Sequence, residues 1–280
     1  MGIDGAMLED VTTLVLIAAA LGLTAAFAGL MAGLLGIGGG VVIVPVLYYV
    51  EGLLGVPEVH RMHLAVGTSL AIIVVTSIAS VGQHWRLNAV DKTLLKVYGP
   101  GVLVGVGIGT GLAAVVSGAV LTAVFAVCAL VVALNMATGQ PARKFGPALP
   151  GPAGSGALGL LTGVVSTLAG IGGGAMTVAI LTLYSVPIHI AVGTASAVGI
   201  LVSVPGALGF VGIGWAVADL PPGSFGYVNL AVIAVMAPMT ALMAPIGARL
   251  AHRLPSRGLA RIFAGFLGLA ALHMLWNLIA

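Results

Sequence analysis

Two glycine-rich motifs are the residues in this sequence best suited to bind a ligand. The residues Gly-Ile-Gly-Gly-Gly occur at 36–40 and again at 170–174, each time inside a long apolar run. Three consecutive glycines disfavour a helix, because each costs about 1 kcal/mol relative to alanine. A helix that restarts after such a break presents free backbone N–H groups and the positive end of its dipole. Glycine also lets a ligand approach the backbone closely, so this arrangement favours a small anion. We predict that the ligand contacts Gly38, Gly39, Gly40, Gly172, Gly173 and Gly174.

Hydroxyl side chains follow each motif at matching places. Thr68, Ser69, Thr194 and Ser196 lie about a turn and a half into two similar apolar segments and are able to donate O–H groups to an oxyanion. Alternatively, these hydroxyls bond carbonyl groups of their own helices, as serine and threonine often do in membrane helices. The sequence leaves both roles open.

Two histidines begin these same segments. His63 and His189 precede the matching stretches "HLAVGTSLA" and "HIAVGTASA". They are either solvated residues at the membrane surface or a pair of gate or proton-linked residues, because histidine titrates near neutral pH.

The composition is that of a membrane protein. Of 280 residues, 60% are hydrophobic and 6% are charged, and the mean hydropathy is +1.22. Soluble domains carry about 25% charged residues. Apolar segments recur along the whole chain, so we expect an all-α protein that crosses the bilayer many times.

The segments form two similar halves. Residues 36–45 match 170–179 at six of ten positions, 63–71 match 189–197 at six of nine, and 125–136 resemble 263–274 in the same order. Five apolar segments precede a stretch rich in proline and glycine, and five follow it. We therefore predict a first repeat at 1–137, a linker at 138–153 and a second repeat at 154–280.

The charges predict an orientation. When the connecting loops are assigned alternately to the two sides, nine of the ten basic residues fall on one side, which is cytoplasmic by the positive-inside rule. Both termini then lie outside the cytoplasm. The second half enters the membrane in the opposite sense to the first, which is the inverted-topology repeat common in secondary transporters.

The apolar pieces after each motif are too short to cross a bilayer. Residues 41–50 and 175–186 would rise about 15–18 Å as helices, against roughly 30 Å of hydrocarbon. We expect two half-spans that begin inside the membrane, with the two breaks close together. Other glycines at helical spacing, such as Gly29 and Gly33, are expected to let helices pack closely.

The sequence favours no catalytic or cofactor chemistry. It contains no recognisable metal or nucleophile motif, and its single cysteine, Cys128, is expected to be a packing residue. We expect no enzyme activity, no cofactor, no metal and no nucleic-acid partner. No charged residue lies within a predicted span, so we do not expect a proton relay through buried carboxylates.

The sequence resembles the sulfite exporter TauE/SafE family of membrane permeases. The resemblance rests on "LLGIGGGVVIVPVL" (34–47), "LAGIGGGAMTVAIL" (168–181), "AVGTS" (65–69), "AVGTA" (191–195) and "NAVDKTLLK" (88–96), and it covers essentially the whole chain. It implies transport of small sulfur-containing anions, such as sulfite and organosulfonates, across the plasma membrane and often outward. It also points to the glycine motifs, Thr68, Ser69 and Thr194 as site residues.

We therefore expect an inverted-repeat secondary transporter of a small anion, embedded in the lipid bilayer and working by alternating access. Two alternatives are an anion channel with the same selectivity elements and a membrane scaffold that binds a partner through the loop at 249–261. The substrate, the direction, the coupling ion and the assembly into a homo-oligomer are left open.

Overall fold

The fold is a bundle of α-helices. The computed structural model describes residues 5–36, 38–138, 146, 148–251 and 257–279. The ten helices found in these residues are α1 (Gly5–Leu35), α2 (Gly40–Leu53), α3 (Glu58–Arg86), α4 (Lys92–Ala113), α5 (Gly118–Thr138), α6 (Pro152–Ala169), α7 (Gly174–Leu183), α8 (Ile188–Gly214), α9 (Leu230–Ala251) and α10 (Arg257–Ile279). Within them there is no strand, so the expected all-α class is confirmed.

Seven helices are long and apolar enough to cross a membrane: α1, α3, α4, α5, α6, α8 and α9. The helices α2 and α7 have 14 and 10 residues and reach only about 21 Å and 15 Å. Large apolar side chains cover the outside of the bundle, for example Leu23 (74% exposed) and Trp276 (70% exposed). Such a surface needs lipid around it, and the protein is therefore a multi-pass membrane protein.

Helices from the two parts of the sequence pack against each other in matching pairs. α1 lies against α9, and α4 lies against α6. Glycine stripes make both contacts close: a Cβ on Gly33 would overlap the carbonyl oxygen of Ala244, and a Cβ on Gly105 would overlap that of Leu160. The expected packing role of these stripes is confirmed. The helices α3 and α8, which carry the matching hydroxyls, pack against each other between these pairs.

Half of the predicted linker falls outside the described residues. α5 ends at Thr138 and α6 begins at Pro152, while 139–145 and 147 lie between them without description. The same holds for 252–256, in the loop that the scaffold alternative invokes. The boundaries of the two repeats therefore stay a prediction.

Candidate functional site

The two glycine motifs adopt nearly the same backbone conformation. α2 and α7 begin at Gly40 and Gly174, one residue before the predicted half-spans, and the residues before them are Gly39 (φ 78°, ψ −19°) and Gly173 (φ 77°, ψ −17°). Both caps lie in the left-handed region, which costs an L-residue about 1–2 kcal/mol. Neither helix has a side-chain cap for its first-turn N–H groups. Backbone donors at both helix starts are therefore left for another partner.

The two breaks lie against each other. A Cβ on Gly40 would overlap the carbonyl oxygen of Gly170 and lie 2.9 Å from the Cα of Ile171. A Cβ on Gly38 would lie 3.1 Å from the carbonyl oxygen of Ile171. The approach of the two breaks, expected from the repeat, is confirmed, and only glycine at 40 permits it.

Ser69 joins the first half of the chain to the second break. Its buried hydroxyl donates a hydrogen bond to the carbonyl oxygen of Gly170 at 2.9 Å. The matching position in α8 is Ala195, so the second half makes no equivalent bond. The donated hydrogen fixes the backbone of the second break in place.

Thr68 and Thr194 make equivalent bonds that the sequence did not reveal. The hydroxyl oxygen of Thr68 accepts from the backbone N–H of Asn229, and that of Thr194 accepts from the N–H of Asp91, each at 3.0 Å. Asp91 caps the start of α4 by accepting from the N–H groups of Thr93 and Leu94, at 2.9 and 3.0 Å. Asn229 likewise accepts from the N–H of Val232 at 3.0 Å. The two threonines therefore hold the starts of α9 and α4.

Ser196 lies beside a small polar cavity at the first break. Its hydroxyl donates to the carbonyl oxygen of Val192 at 3.1 Å, and its oxygen lies 3.1 Å from that of Ser80. The cavity is lined by Ala32, Gly36, Gly38, Thr76, Ser77, Ser80, Ala195, Ser196 and Gly199. The α3 hydroxyls at 76, 77 and 80 were not predicted, although Ser80 lies four residues after Thr76 and three after Ser77, spacings that place side chains on one helix face.

A larger cavity leads from the second break to one end of the bundle. It has a volume of about 460 Å³ and is lined mainly by apolar side chains. Ile171 and Ala175 form its wall at the second break, whereas Ile188 (60% exposed) and His189 stand where it reaches the surface. The α5 side chains Cys128 and Asn135 also line it. A ligand entering from this end reaches the start of α7 directly.

The two predicted gate histidines differ in environment. His189 is exposed at the mouth of the large cavity. His63 is buried, with its Nε2 3.1 Å from the carbonyl oxygen of Ala113 and its ring stacked on Tyr227 at 5.0 Å. Burial raises the pKa of Tyr227, which lies in the loop before α9 and whose hydroxyl bonds Nδ1 of His60 at 2.9 Å. One histidine thus lies at an open end, and the other lies in a packed one.

The region of the first half that matches the large cavity is filled. Counted from the breaks, Tyr48 of α2 stands where Thr182 stands in α7, and it is buried. The next residue, Tyr49, forms a hydrogen bond with Nδ1 of His273 in α10 at 2.5 Å. The α5 residue that matches His273 is Asn135, which lines the cavity. α2 is therefore closed against α10, while a cavity lies between α7 and α5.

One expectation from the sequence is wrong. Charged residues were expected to lie outside the apolar segments, but α2 runs past its predicted end at residue 50 and buries the side chain of Glu51 to 3% exposure. α2 continues to Leu53, and the chain then turns at Gly55, whose φ of 77° favours glycine.

The site offers backbone N–H groups, hydroxyls and an apolar cavity. Among the described residues, no group of three or more His, Cys, Asp or Glu side chains is placed to hold a metal ion. Such a set of groups is suited to binding a small anion.

Comparison with known proteins agrees with this picture. The family model "Sulfite exporter TauE/SafE" matches residues 21–274. A probable membrane transporter protein of Haemophilus influenzae is 32% identical over 252 residues, which cover 90% of this chain and 96% of that protein. A probable membrane transporter protein of Methanocaldococcus jannaschii is 26% identical over 251 residues, covering 88% of this chain and 91% of that protein. No solved structure matches.

The match of the family model extends over nine of the ten helices completely or nearly so and includes both glycine motifs, the matching threonines and the large cavity. Membership therefore follows from almost the full length of the chain. The chain belongs to the sulfite exporter TauE/SafE family, a family of membrane transporters.

Proposed function

We propose that this protein is a secondary transporter, working as an exporter, of a small sulfur-containing oxyanion such as sulfite or an organosulfonate. It moves the anion across the plasma membrane by alternating access. The observation that carries the proposal is the cavity of about 460 Å³ that reaches the second break from one end, while the matching region of the first half is filled by tyrosines. Two similar halves in different states are what alternating access requires.

In this proposal the anion binds at the starts of α2 and α7, beside the contact between the two breaks, where the large cavity reaches Ile171 and Ala175. The first-turn N–H groups of α2 and α7 point their dipoles at it, and the glycines let the two breaks approach each other closely. Thr68 and Thr194 use their oxygens as acceptors, and within the described part of the chain neither hydroxyl hydrogen has an acceptor. Those two hydrogens are available to the oxyanion, with Ser69 and Ser196 close by.

The closed end is formed by α2, α3 and α10. The hydrogen bond between Tyr49 and His273 holds α2 against α10, and His63 is packed between Ala113 and Tyr227. In the alternate state this end opens, and α7 closes against α5. His63 and His189 then exchange their buried and exposed environments, as expected of a pair of gate residues.

The orientation follows from the charges. The cavity mouth lies at the ends of α3 and α7, the side to which the positive-inside rule assigns the cytoplasm. This structure therefore represents a state that accepts its substrate from the cytoplasm. In this proposal both termini lie outside the cytoplasm.

Counterflow in proteoliposomes tests the proposal. Vesicles loaded with unlabelled sulfite should take up radiolabelled sulfite faster than empty vesicles, and the rate should saturate with concentration. A carrier exchanges substrate in this way, because the loaded site returns across the membrane. Flux that neither saturates nor responds to internal sulfite would show a channel, and absence of flux for every sulfur oxyanion would overturn the substrate class.

A further inference from the structure

Glu51 of α2 is a buried acid whose carboxyl group has no partner. Its side chain is 3% exposed, and neither carboxyl oxygen has a hydrogen-bond partner within the part of the chain that the structure describes. An ionised carboxylate without a partner is very costly to remove from water, so such a group binds a proton instead. Ionisable side chains buried in membrane proteins commonly mark ion or proton sites.

The guanidinium group of Arg61 in α3 attracts the carboxyl group of Glu51 electrostatically. Its hydrogen bond, however, is to the turn between α2 and α3. Its Nε donates to the carbonyl oxygen of Val56 at 2.7 Å, and its Nη1 lies 3.4 Å from the position of a Cβ on Gly52. The two described side chains form no hydrogen bond with each other. Arg61 therefore attracts the carboxyl group without satisfying its oxygens.

The other titratable groups at this end of α2 form no hydrogen bond with Glu51: Tyr48, Tyr49, Glu58, His60, His63 and His273. Tyr49 bonds His273, and Glu58 is exposed at the start of α3. His60 and His63 contact Tyr227 and the carbonyl oxygen of Ala113, as described above. The described side chains of α1 that precede the first break include no titratable group. None of these groups bonds the carboxyl of Glu51.

The fold does not require an acid at this position. The N–H of Val56 bonds the carbonyl oxygen of Glu51 at 3.0 Å, and in the matching turn the N–H of Val186 bonds that of Leu181 at 3.1 Å. Leu181 is buried and apolar. The same turn thus forms with a leucine in the second half. The carboxyl group of Glu51 therefore has a role other than forming this turn.

We propose that Glu51 is a proton-binding site that makes closure of α2 against α10 depend on a proton. The proposal rests on the transport cycle proposed above. With α2 packed as here, one carboxyl oxygen holds the proton and the acid is neutral. When α2 moves away from α10 and water reaches the side chain, the O–H bond breaks, the proton passes to water and the carboxylate remains. Each closure takes the proton up again from the same side.

Infrared spectroscopy tests the proton site without any substrate. The protein in liposomes at neutral pH should show the C=O stretch of a protonated carboxylic acid. That band should be lost in Glu51→Gln and retained in Glu58→Gln, the matched exposed acid. A wild-type spectrum without the band, or a band unchanged in Glu51→Gln, would overturn the proposal. Glu51→Leu, which copies Leu181, serves if the glutamine variant fails to fold.

Sulfite counterflow tests the link to transport. The pH is varied only on the side where α2 ends. Wild type and Glu58→Gln should show the same pH dependence of the exchange rate, and Glu51→Gln should show a weaker one. Titration of sulfite itself affects all three proteins alike. Identical pH profiles in all three would contradict the role of Glu51 while leaving the transporter intact. Absence of exchange in every protein at every pH would instead refute the transport function on which the role depends.

Discussion

Thr194 accepts a hydrogen bond from the backbone N–H of Asp91, and Thr68 does the same for Asn229. Replacing either threonine by valine keeps the shape and leaves a backbone N–H without an acceptor. An unsatisfied buried donor costs about 1–3 kcal/mol. We expect Thr194→Val and Thr68→Val to lower the melting temperature of the purified protein in detergent.

Thr167→Val is the matched control for these two variants. Thr167 is equally buried, but its hydroxyl has no hydrogen-bond partner among the described residues. Its replacement should leave the melting temperature unchanged or raise it. An equal loss of stability in all three variants would show that the bonds to Asp91 and Asn229 contribute nothing specific.

The roles of these residues were only partly predictable from sequence. The glycines and the hydroxyls at 68, 69, 194 and 196 stood out by their repetition, whereas the α3 hydroxyls at 76, 77 and 80 did not. The partners of the threonines were not predictable, because the bonds join residues 103 and 161 positions apart. Glu51 was missed because α2 continues one turn beyond its uninterrupted apolar stretch.

The starts of α2 and α7 depend on glycine. In Gly173→Ala the Cβ would lie 2.8 Å from Cγ2 of Val202, and the left-handed backbone costs about 1–2 kcal/mol more. Gly39→Ala meets the carbonyl oxygen of Ala28 at 3.1 Å. We expect both variants to reach the membrane folded and to lose sulfite counterflow, because the first-turn N–H groups move.

Gly22→Ala in α1 controls for the added methyl group, since nothing lies within 4 Å of the position of its Cβ. It should transport normally. Normal counterflow in Gly39→Ala and Gly173→Ala would show that the glycine motifs serve only to pack helices.

The pairing of α4 with α6 depends on one glycine stripe. A Cβ on Gly105 would overlap the carbonyl oxygen of Leu160, whereas a Cβ on Gly107, two residues later, meets nothing within 4 Å. Gly105→Ala should lower the melting temperature. Gly107→Ala should leave it unchanged or raise it, because alanine favours a helix by about 1 kcal/mol over glycine. Similar melting temperatures for the two variants would contradict the close packing described here.

The number and order of the helices were predicted well from the sequence. Apolar runs indicated ten segments, and the structure has ten helices in the same order within the described residues. The glycine triplets gave the starts of α2 and α7 to within one residue. Helix ends were less predictable, because α2 extends beyond its uncharged stretch and buries Glu51.

At the scale of the whole molecule, the two halves have matching contacts but differ in closure. This difference was not predictable from the sequence, because it depends on which side chains of distant segments meet, as Tyr49 and His273 do. It predicts which end of the bundle is open to water.

Cysteine labelling tests the open end. In a Cys128→Ala background, a thiol reagent that cannot cross the membrane should label His189→Cys in inside-out vesicles and leave it unlabelled in right-side-out vesicles. His63→Cys, which is buried, should react slowly in both. Rapid labelling of His189→Cys from outside would reverse the orientation, and equally rapid labelling at both positions would contradict a state closed at one end.

The most direct test of the central claim, that the glycine breaks bind a small sulfur oxyanion, is the melting temperature of the purified protein with sulfite, sulfate, thiosulfate, sulfoacetate, taurine, acetate and chloride. A ligand that binds only the folded protein raises its stability. We expect sulfite or a sulfonate to raise the melting temperature of wild type and of Gly22→Ala, and to have no effect on Gly173→Ala. A cooperative melt that no anion shifts, or an equal shift in Gly173→Ala, would contradict an anion site at the breaks.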